Sequence, residues 1–442
     1  MLKTFKKGGV HPAENKISAD KPIEKLSLPE QVAIPIAQHI GAPSKPVVSK
    51  KDKIKAGDVI AESAGFVSSN IHSSVSGTVL KIDHIIETSG FKQPSVVVKV
   101  EGDEWRDDID TSNDLKQDIS LSGKEIVDKV LKAGIVGMGG ATFPSHVKLS
   151  IPEGKTIDTL IINGVECEPY LTSDHRVMLE RGEEMVVGIQ LLMKALGVKR
   201  AMIGIENNKP DAINHVNELV KDKDGIDVYP LKVKYPQGGE KQLIKALINR
   251  EVPSGGLPLD VGTVVHNVGT ALAVYEAVQK NKPLIERVVT VTGKTVEKPS
   301  NFLVRIGTPV EKLLEAAGGI PDDAGKVVSG GPMMGKALKS FDVPVVKGTS
   351  GILVMPNKEA KRYNERNCIR CAKCVSACPM GLEPYLLKKL AEQERYEELE
   401  ENDVMDCMEC GSCSYTCPAY VPLLDYIRFG KSKVSQIIRN RK

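Results

Sequence analysis

Eight of the nine cysteines in this 442-residue chain fall between Cys368 and Cys417, in two runs of identical form. Cys368, Cys371, Cys374 and Cys378 lead into Pro379, and Cys407, Cys410, Cys413 and Cys417 lead into Pro418, each with the spacing C-x2-C-x2-C-x3-C-P. Three thiolates set two residues apart wrap one face of an iron–sulfur cubane in a single loop, and the fourth ligand has to arrive from farther along the chain. In paired runs of this kind the fourth cysteine ligates the other cluster. The spacing therefore predicts one 4Fe-4S cluster on Cys368, Cys371, Cys374 and Cys417, and a second on Cys407, Cys410, Cys413 and Cys378. Each proline stops a helix from absorbing the crossing ligand. Four-cysteine zinc sites do not need this tail repeated twice, and disulfides do not suit a reducing compartment. Cys167 stands apart, after an apolar strand, and reads as a packed thiol.

The remainder of the chain is long enough for about three domains with real cores. Its 41% hydrophobic and 26% charged residues are those of an ordinary globular protein. With 60 Lys+Arg against 57 Asp+Glu, a net charge of +3, and only 7 Phe, 10 Tyr and 1 Trp, nucleic acid is not an expected partner. The longest apolar candidate, Met185 to Val198, carries Lys194 and falls short of the roughly 18 residues a membrane span needs. MLKTFKKGGVHP has no apolar stretch behind its basic residues, so no signal peptide is read. The expected place is the cytoplasmic side, with membrane contact through partners only.

Residues 1–30, with Phe5, Gly8, Gly9, His11 and Pro12 ahead of a Lys/Pro-rich stretch, read as an extended arm that packs on another surface. Short runs with turn signals from Val32 to Val100 predict a small β domain. Its phrase IHSSVSGTVLKI at 71–82 resembles half of a lipoyl or biotinyl barrel-sandwich, but the turn at Ser68, Ser69 and Asn70 has no lysine to carry a swinging arm. Ser122 and Glu125 form a capping box before an amphipathic stretch that ends at Gly134. From Asp158, the strands TLIIN, AMIGIE, VYPLKV (228–233) and GTVVHN alternate with helices, the first from about His175 to Leu196, which predicts a parallel sheet covered on both faces. Near Arg287 the pattern changes to VVTVTG, a capping box at Thr308 to Glu311 with Pro309 at its first turn, and VVSGGPMMG, a compact α+β unit resembling a β-grasp. Between the cysteine runs, Glu392 to Asp406 carries eight Asp/Glu and one Arg and reads as a solvated helical stretch. The tail after Asp425, with Arg428, Lys431, Lys433, Arg439, Arg441 and Lys442, is either a solubilising end or a contact for anionic lipid or an acidic partner.

The loop Gly137-Met138-Gly139-Gly140-Ala141-Thr142-Phe143-Pro144 lacks GxGxxG spacing and follows a helix, so it is not a Rossmann fingerprint. Unobstructed N–H groups with Lys148 behind them do make a phosphate cradle. Three further segments fall just past strand carboxyl ends: Asn163 to Glu168, Gly238-Gly239-Glu240, and His266 to Thr270. Each alone would serve as a turn or a helix cap; together with the glycine loop they predict one composite site. Nicotinamide exchanges electrons in pairs, as hydride, whereas a 4Fe-4S cluster takes them singly, and a flavin connects the two. FMN is therefore expected between NAD(H) and the clusters.

The arm FKKGGVHPAENK, QHIGAPSKPVV at 38–48, GIVGMGGATFPSHVKL at 134–149, NGVECEPYLTSDHRVM at 163–178 and the twin cysteine runs together resemble the RnfC family. Its members are the NADH-side subunits of membrane-bound Rnf ferredoxin:NAD oxidoreductase complexes. The central part is similar to the flavin subunit of respiratory complex I. This resemblance implies that Gly137, Gly139, Gly140 and Lys148 face the FMN phosphate and ribityl chain. It places Asn163, Glu166, Gly239, Glu240, Asn267 and Thr270 along the flavin, and Phe143 and Glu168 on the nicotinamide side. Lys241 stands where the complex I pattern has a second Glu, His266 where it has Asn, and EVPSGGLPLD shows no aromatic or basic NADH loop.

The expected architecture is α/β and multidomain. An arm (1–30) leads into a barrel-sandwich-like β domain (31–115) and a central α/β FMN/NADH-binding domain (116–285). A β-grasp-like α+β domain (286–350), a ferredoxin-like helical domain with two 4Fe-4S clusters (357–425) and a basic tail (426–442) follow. The resemblance implies hydride exchange between NAD(H) and FMN, then single electrons through the clusters to partner subunits: membrane-embedded ones and an iron–sulfur protein that accepts ferredoxin electrons. Na+ or H+ translocation belongs to those partners, and no catalytic side chain is nominated. Two other readings are a soluble flavin/iron–sulfur reductase of the corrinoid-reductase type, in which the glycine-loop domain would come first, and an electron-transfer adaptor without flavin.

Overall fold

The computed structural model describes residues 2–88 and 90–441; Met1, Ser89 and Lys442, the last of the basic tail, lie outside the described residues. The N-terminal β unit consists of two small antiparallel sheets. One contains Gln31–Pro35, Lys92–Val100, Gly77–Ile86 and Lys53–Ile54, and the other contains Lys45–Pro46, Val59–Glu62 and Ile71–His72. Alternating residues such as Val32, Ile34, Val96 and Val98 point inward and join one continuous core with the helices of the next unit.

That next unit contains α1 (Gly123–Lys132), α2 (Ser145–Leu149), α3 (Ser173–Glu180), α4 (Gly182–Leu196), α5 (Pro210–Val220), α6 (Glu240–Ile248) and α7 (Val268–Gln279). The capping box forms as the sequence predicts: Ser122 and Glu125 satisfy each other's backbone amides at the start of α1. Four parallel strands lie in the order Ile226–Leu231, Ala201–Glu206, Thr159–Asn163, Thr263–Asn267. The first helix after Asn163 is not continuous to Leu196 as the periodicity suggests. It breaks at Arg181, and the new start lets Gly182 press on α5, where an added Cβ would meet Leu219 Cδ1 at 2.6 Å.

A six-stranded mixed sheet follows, built from Glu286–Thr292, Ser300–Arg305, Ala324–Ser329, Lys336–Ala337 and Gly351–Pro356, with Ile23–Lys25 of the arm as an edge strand parallel to Ser300–Arg305. The predicted Thr308 capping box is not formed. Pro309 occupies the cap of the helix Val310–Ala316, and the amides of Val310 and Glu311 donate instead to the carbonyls of Val343 and Phe341. The C-terminal unit is helical, with Leu387, Leu390, Leu399, Ile427 and Val434 as its core. The helix Leu423–Asn440 takes in most of the basic tail. Among the described residues no helix is long and apolar enough to cross a membrane.

Candidate functional site

In the parallel sheet the chain runs outward from Thr159–Asn163 to Ala201–Glu206 and Ile226–Leu231, then reverses and crosses back to place Thr263–Asn267 on the other side of Thr159–Asn163. A crevice opens where such a reversal occurs, beyond the carboxyl ends of the strands. Here those ends are Asn163 and Asn267, paired in register. The glycine loop packs on this edge. Met138 N donates to Thr270 Oγ1 at 2.9 Å, and a Cβ on Gly139 would lie 2.8 Å from Asn267 Nδ2, so a side chain there would displace the loop. Gly137 N closes the loop onto the Phe143 carbonyl at 2.9 Å. Gly139 and Gly140 are exposed, and among the described residues the amides of Gly139, Gly140 and Ala141 have no backbone or side-chain acceptor.

Lys148, on α2, donates to Glu240 Oε1 at 2.7 Å and to the Val265 carbonyl at 3.1 Å. Asn163 Nδ2 donates to the Gly238 carbonyl at 2.8 Å, binding the first strand-end segment to the second. The four sequence segments thus meet at one edge. Open amides with a lysine behind them fit a flavin phosphate, and the amide and carboxylate groups at the strand ends fit its hydroxyls and ring edge.

Two predicted residues have structural partners as well. The Glu166 carboxylate accepts from the amides of Asp174 (2.8 Å) and His175 (3.2 Å) and so caps α3. The Glu168 carboxylate accepts from the amides of Met333 (2.6 Å) and Met334 (3.0 Å) in the turn before Lys336–Ala337, and burial pushes it above the usual carboxylate range. Sequence reasoning does not single out Asp174, which accepts from Asn267 Nδ2 at 2.6 Å. Burial, and then the Glu166 charge, push Asp174 up to about 7. Its only sequence signal is its place in the NGVECEPYLTSDHRVM motif. Lys16 of the arm is missed in the same way; its ammonium donates to the carbonyls of Glu166, Glu168 and Leu171, holding that segment, and burial lowers it to about 8.

Cys378, Cys407, Cys410 and Cys413 line one largely apolar cavity together with Met408 and Leu424. Cys417 lies instead beside Cys374, whose thiol is pushed up by burial and, more weakly, by that neighbour. Cys368 and Cys371 are exposed. Cys378 of the first run thus lies with the second run's cysteines, and Cys417 of the second run lies beside Cys374 of the first. All nine cysteines are free thiols, and among the described residues no three metal-binding side chains converge on one ion. Sulfurs spread around a cavity suit a cluster, whose iron atoms separate the ligands. Burial raises the Cys407 thiol to about 11 and the Cys413 thiol to about 12, so loading metal at neutral pH must displace protons.

The strand-end site and the cysteine cavity adjoin. A Cβ on Gly239 would lie 2.5 Å from Met408 Cε, and Gln242 Nε2 on α6 reaches the Pro379 carbonyl at 3.4 Å. The arm closes the same junction: Gly9 N donates to the Ala377 carbonyl at 2.9 Å, and Val10 and Tyr235 exchange backbone bonds.

Residues 3–103 match the RnfC barrel sandwich hybrid domain, 130–276 the Nuo51 FMN-binding domain, 288–337 the SLBB domain and 360–418 the 4Fe-4S dicluster domain. The chain is 48% identical over 98% of its length to the C subunit of the proton-translocating ferredoxin:NAD(+) oxidoreductase complex of Clostridium ljungdahlii, covering 94% of that protein. It is 44% identical over 99% of its length to the C subunit of the Na(+)-translocating complex of Acetobacterium woodii, covering 98% of that protein. An air-oxidized NAD+-reducing [NiFe]-hydrogenase shares the fold at a TM-score of 0.50 and 17% identity, over 71% of this chain and 66% of that one. The β unit, the flavin-binding unit and the dicluster unit thus follow one another in a single polypeptide, and the chain belongs to the RnfC family, the C subunits of ion-translocating ferredoxin:NAD(+) oxidoreductase complexes.

Proposed function

We propose that this chain is the NAD(H)-side electron-transfer subunit of a membrane-bound, ion-translocating ferredoxin:NAD oxidoreductase complex, held peripherally on the cytoplasmic side by other subunits. Its cofactors are FMN and two 4Fe-4S clusters. The observation that carries this reading is the packing of Gly239 on Met408, at the flavin edge on one side and between two cluster cysteines on the other. Electrons leaving that edge meet the second cysteine run without crossing another domain.

FMN, when bound, supplies the exchange between paired and single electrons. The open amides of Gly139 and Gly140 and the Lys148 ammonium bind its phosphate. Asn163, Glu166, Gly239, Glu240, Asn267 and Thr270 fix the ring, with Asp174 orienting the Asn267 amide. Phe143 and Glu168 border the nicotinamide side, Glu168 with one oxygen anchored on Met333 and Met334. Cys378, Cys407, Cys410 and Cys413 hold the cluster next to the flavin. Cys368, Cys371, Cys374 and Cys417 hold the outer one, whose exposed ligands face partner subunits.

The test is anaerobic reconstitution with iron, sulfide and FMN, then NADH, followed by visible spectra and low-temperature EPR. Flavin bleaching with reduced 4Fe-4S signals is expected. Folded protein carrying clusters but neither flavin nor an NADH response would replace this reading with that of an adaptor.

A further inference from the structure

A hydride brings two electrons and one proton, and the clusters carry only the electrons onward, one at a time. A flavin site between NAD(H) and clusters therefore gains negative charge as it is loaded and has a proton to lose as it empties. In a buried site such a charge is costly unless a neighbouring group balances it. Glu206 is placed to do so. It ends the strand Ala201–Glu206, just beyond Gly204, which pairs in register with Asn163. The residue is 1% exposed, yet it lines a cavity of about 210 Å³ between the arm and the strand ends.

Two ammonium groups face the Glu206 carboxylate. Lys209, at the start of α5, lies 3.9 Å from it and donates to the Val165 carbonyl at 2.8 Å. Lys16 of the arm faces it from the other element and donates to the carbonyls of Glu166 and Glu168. Glu206 is thus coupled to the segment that borders the flavin. Cys167 of that segment lines the same cavity, as do Lys234, whose amide donates to Glu206 at 3.2 Å, and the exposed His11 and Glu14. A buried carboxylate–lysine pair is by itself ordinary structure. This one opens on a cavity that reaches exposed residues, and burial, opposed chiefly by Lys209, raises Glu206 to about 7. A unit charge arriving nearby then changes its protonation near neutral pH.

We propose that Glu206 is a redox-linked proton site, which takes a proton from solvent through the arm cavity as the flavin receives a hydride and returns it as the two electrons leave. Per hydride, the flavin gains one negative charge and Glu206 loses one on protonation; on reoxidation the flavin gives up two electrons and the hydride's proton, and Glu206 gives up its own. The proposal rests on FMN binding at the strand-end site. The full chain, loaded with FMN and clusters, is reduced at an electrode at about pH 8, where an acid of pKa about 7 is mostly ionised. Reduced-minus-oxidised infrared spectra are recorded in H2O and D2O. The parent is expected to gain the C=O band of a protonated carboxyl, shifted down in D2O, and Glu206→Gln to lack it. A parent without the band, or a Glu206→Gln chain that keeps it, overturns the proposal; in the second case another carboxyl, such as Asp174 or Glu168, takes the proton. Where Glu206→Gln does not retain FMN, Glu206→Asp decides: the band is expected to move in frequency, and an unmoved band overturns the assignment. A parent chain that takes up clusters but no FMN overturns the flavin reading itself, and the proton site with it.

Discussion

The Tyr235 hydroxyl donates to the Cys410 carbonyl oxygen at 2.8 Å, joining the loop that ends in Gly239 and Glu240 to the middle of the second cysteine run. Both residues are buried, so Tyr235→Phe leaves a carbonyl without a partner, which costs about 1–3 kcal/mol. The variant is expected to lose iron from the inner cluster faster under a chelator while keeping its FMN. Equal chelation half-times would show that the bond does not hold the junction.

Gly8 has φ +65°, and a Cβ there would lie 2.4 Å from the carbonyl carbon of Cys378. Gly8→Ala should push the arm off the cysteine turn and disturb the inner cluster, lowering iron and sulfide per chain by up to roughly half if one of two clusters is lost. Iron and sulfide assays decide it; full loading would mean that the arm yields at no cost to the cluster.

Lys148, on α2 directly after the glycine loop, donates to Glu240 and to the Val265 carbonyl. Replacing its ammonium with the thioether of methionine removes a charge-assisted contact to phosphate, so Lys148→Met should weaken FMN on the order of tenfold or more. Equilibrium dialysis of FMN against riboflavin isolates the phosphate. A similar loss for riboflavin would place Lys148 elsewhere on the flavin.

Asp174 is raised from 3.8 to about 7 in the folded chain, so the folded state holds its proton more tightly than the unfolded one. Stability from this group is complete below about pH 4 and is lost as pH rises through about 7. Asp174→Asn retains an oxygen acceptor for Asn267 and should flatten that part of the melting-temperature profile. Parallel profiles for parent and variant between about pH 4 and 8 would contradict the assignment.

Cys417→Ser should disturb the outer cluster and Cys378→Ser the inner one, distinguishable by EPR. The reverse pattern would uncross the ligand sets.

The cysteine spacing, the glycine loop and the alternating strands were legible because each is local: thiolate reach, open amides and periodicity act over a few residues. The broken helix at Arg181 and the unused cap at Thr308 were not, since Gly182 responds to α5 and the amides of Val310 and Glu311 respond to Val343 and Phe341. Similarly, Glu166 and Glu168 could be placed near the site from their motif, but their amide partners lie on α3 and in the 333–334 turn.

The sequence by itself determined the chemistry of this protein, because clusters and phosphates are recognised by residue type and short spacing. Only the tertiary structure decided how the sites adjoin. Asn163 meets Asn267 because the sheet reverses its winding between them. Gly239 meets Met408, and Phe66 meets His146, because separate domains pack there. Such contacts depend on surfaces distant in sequence coming together on burial, which no local pattern encodes.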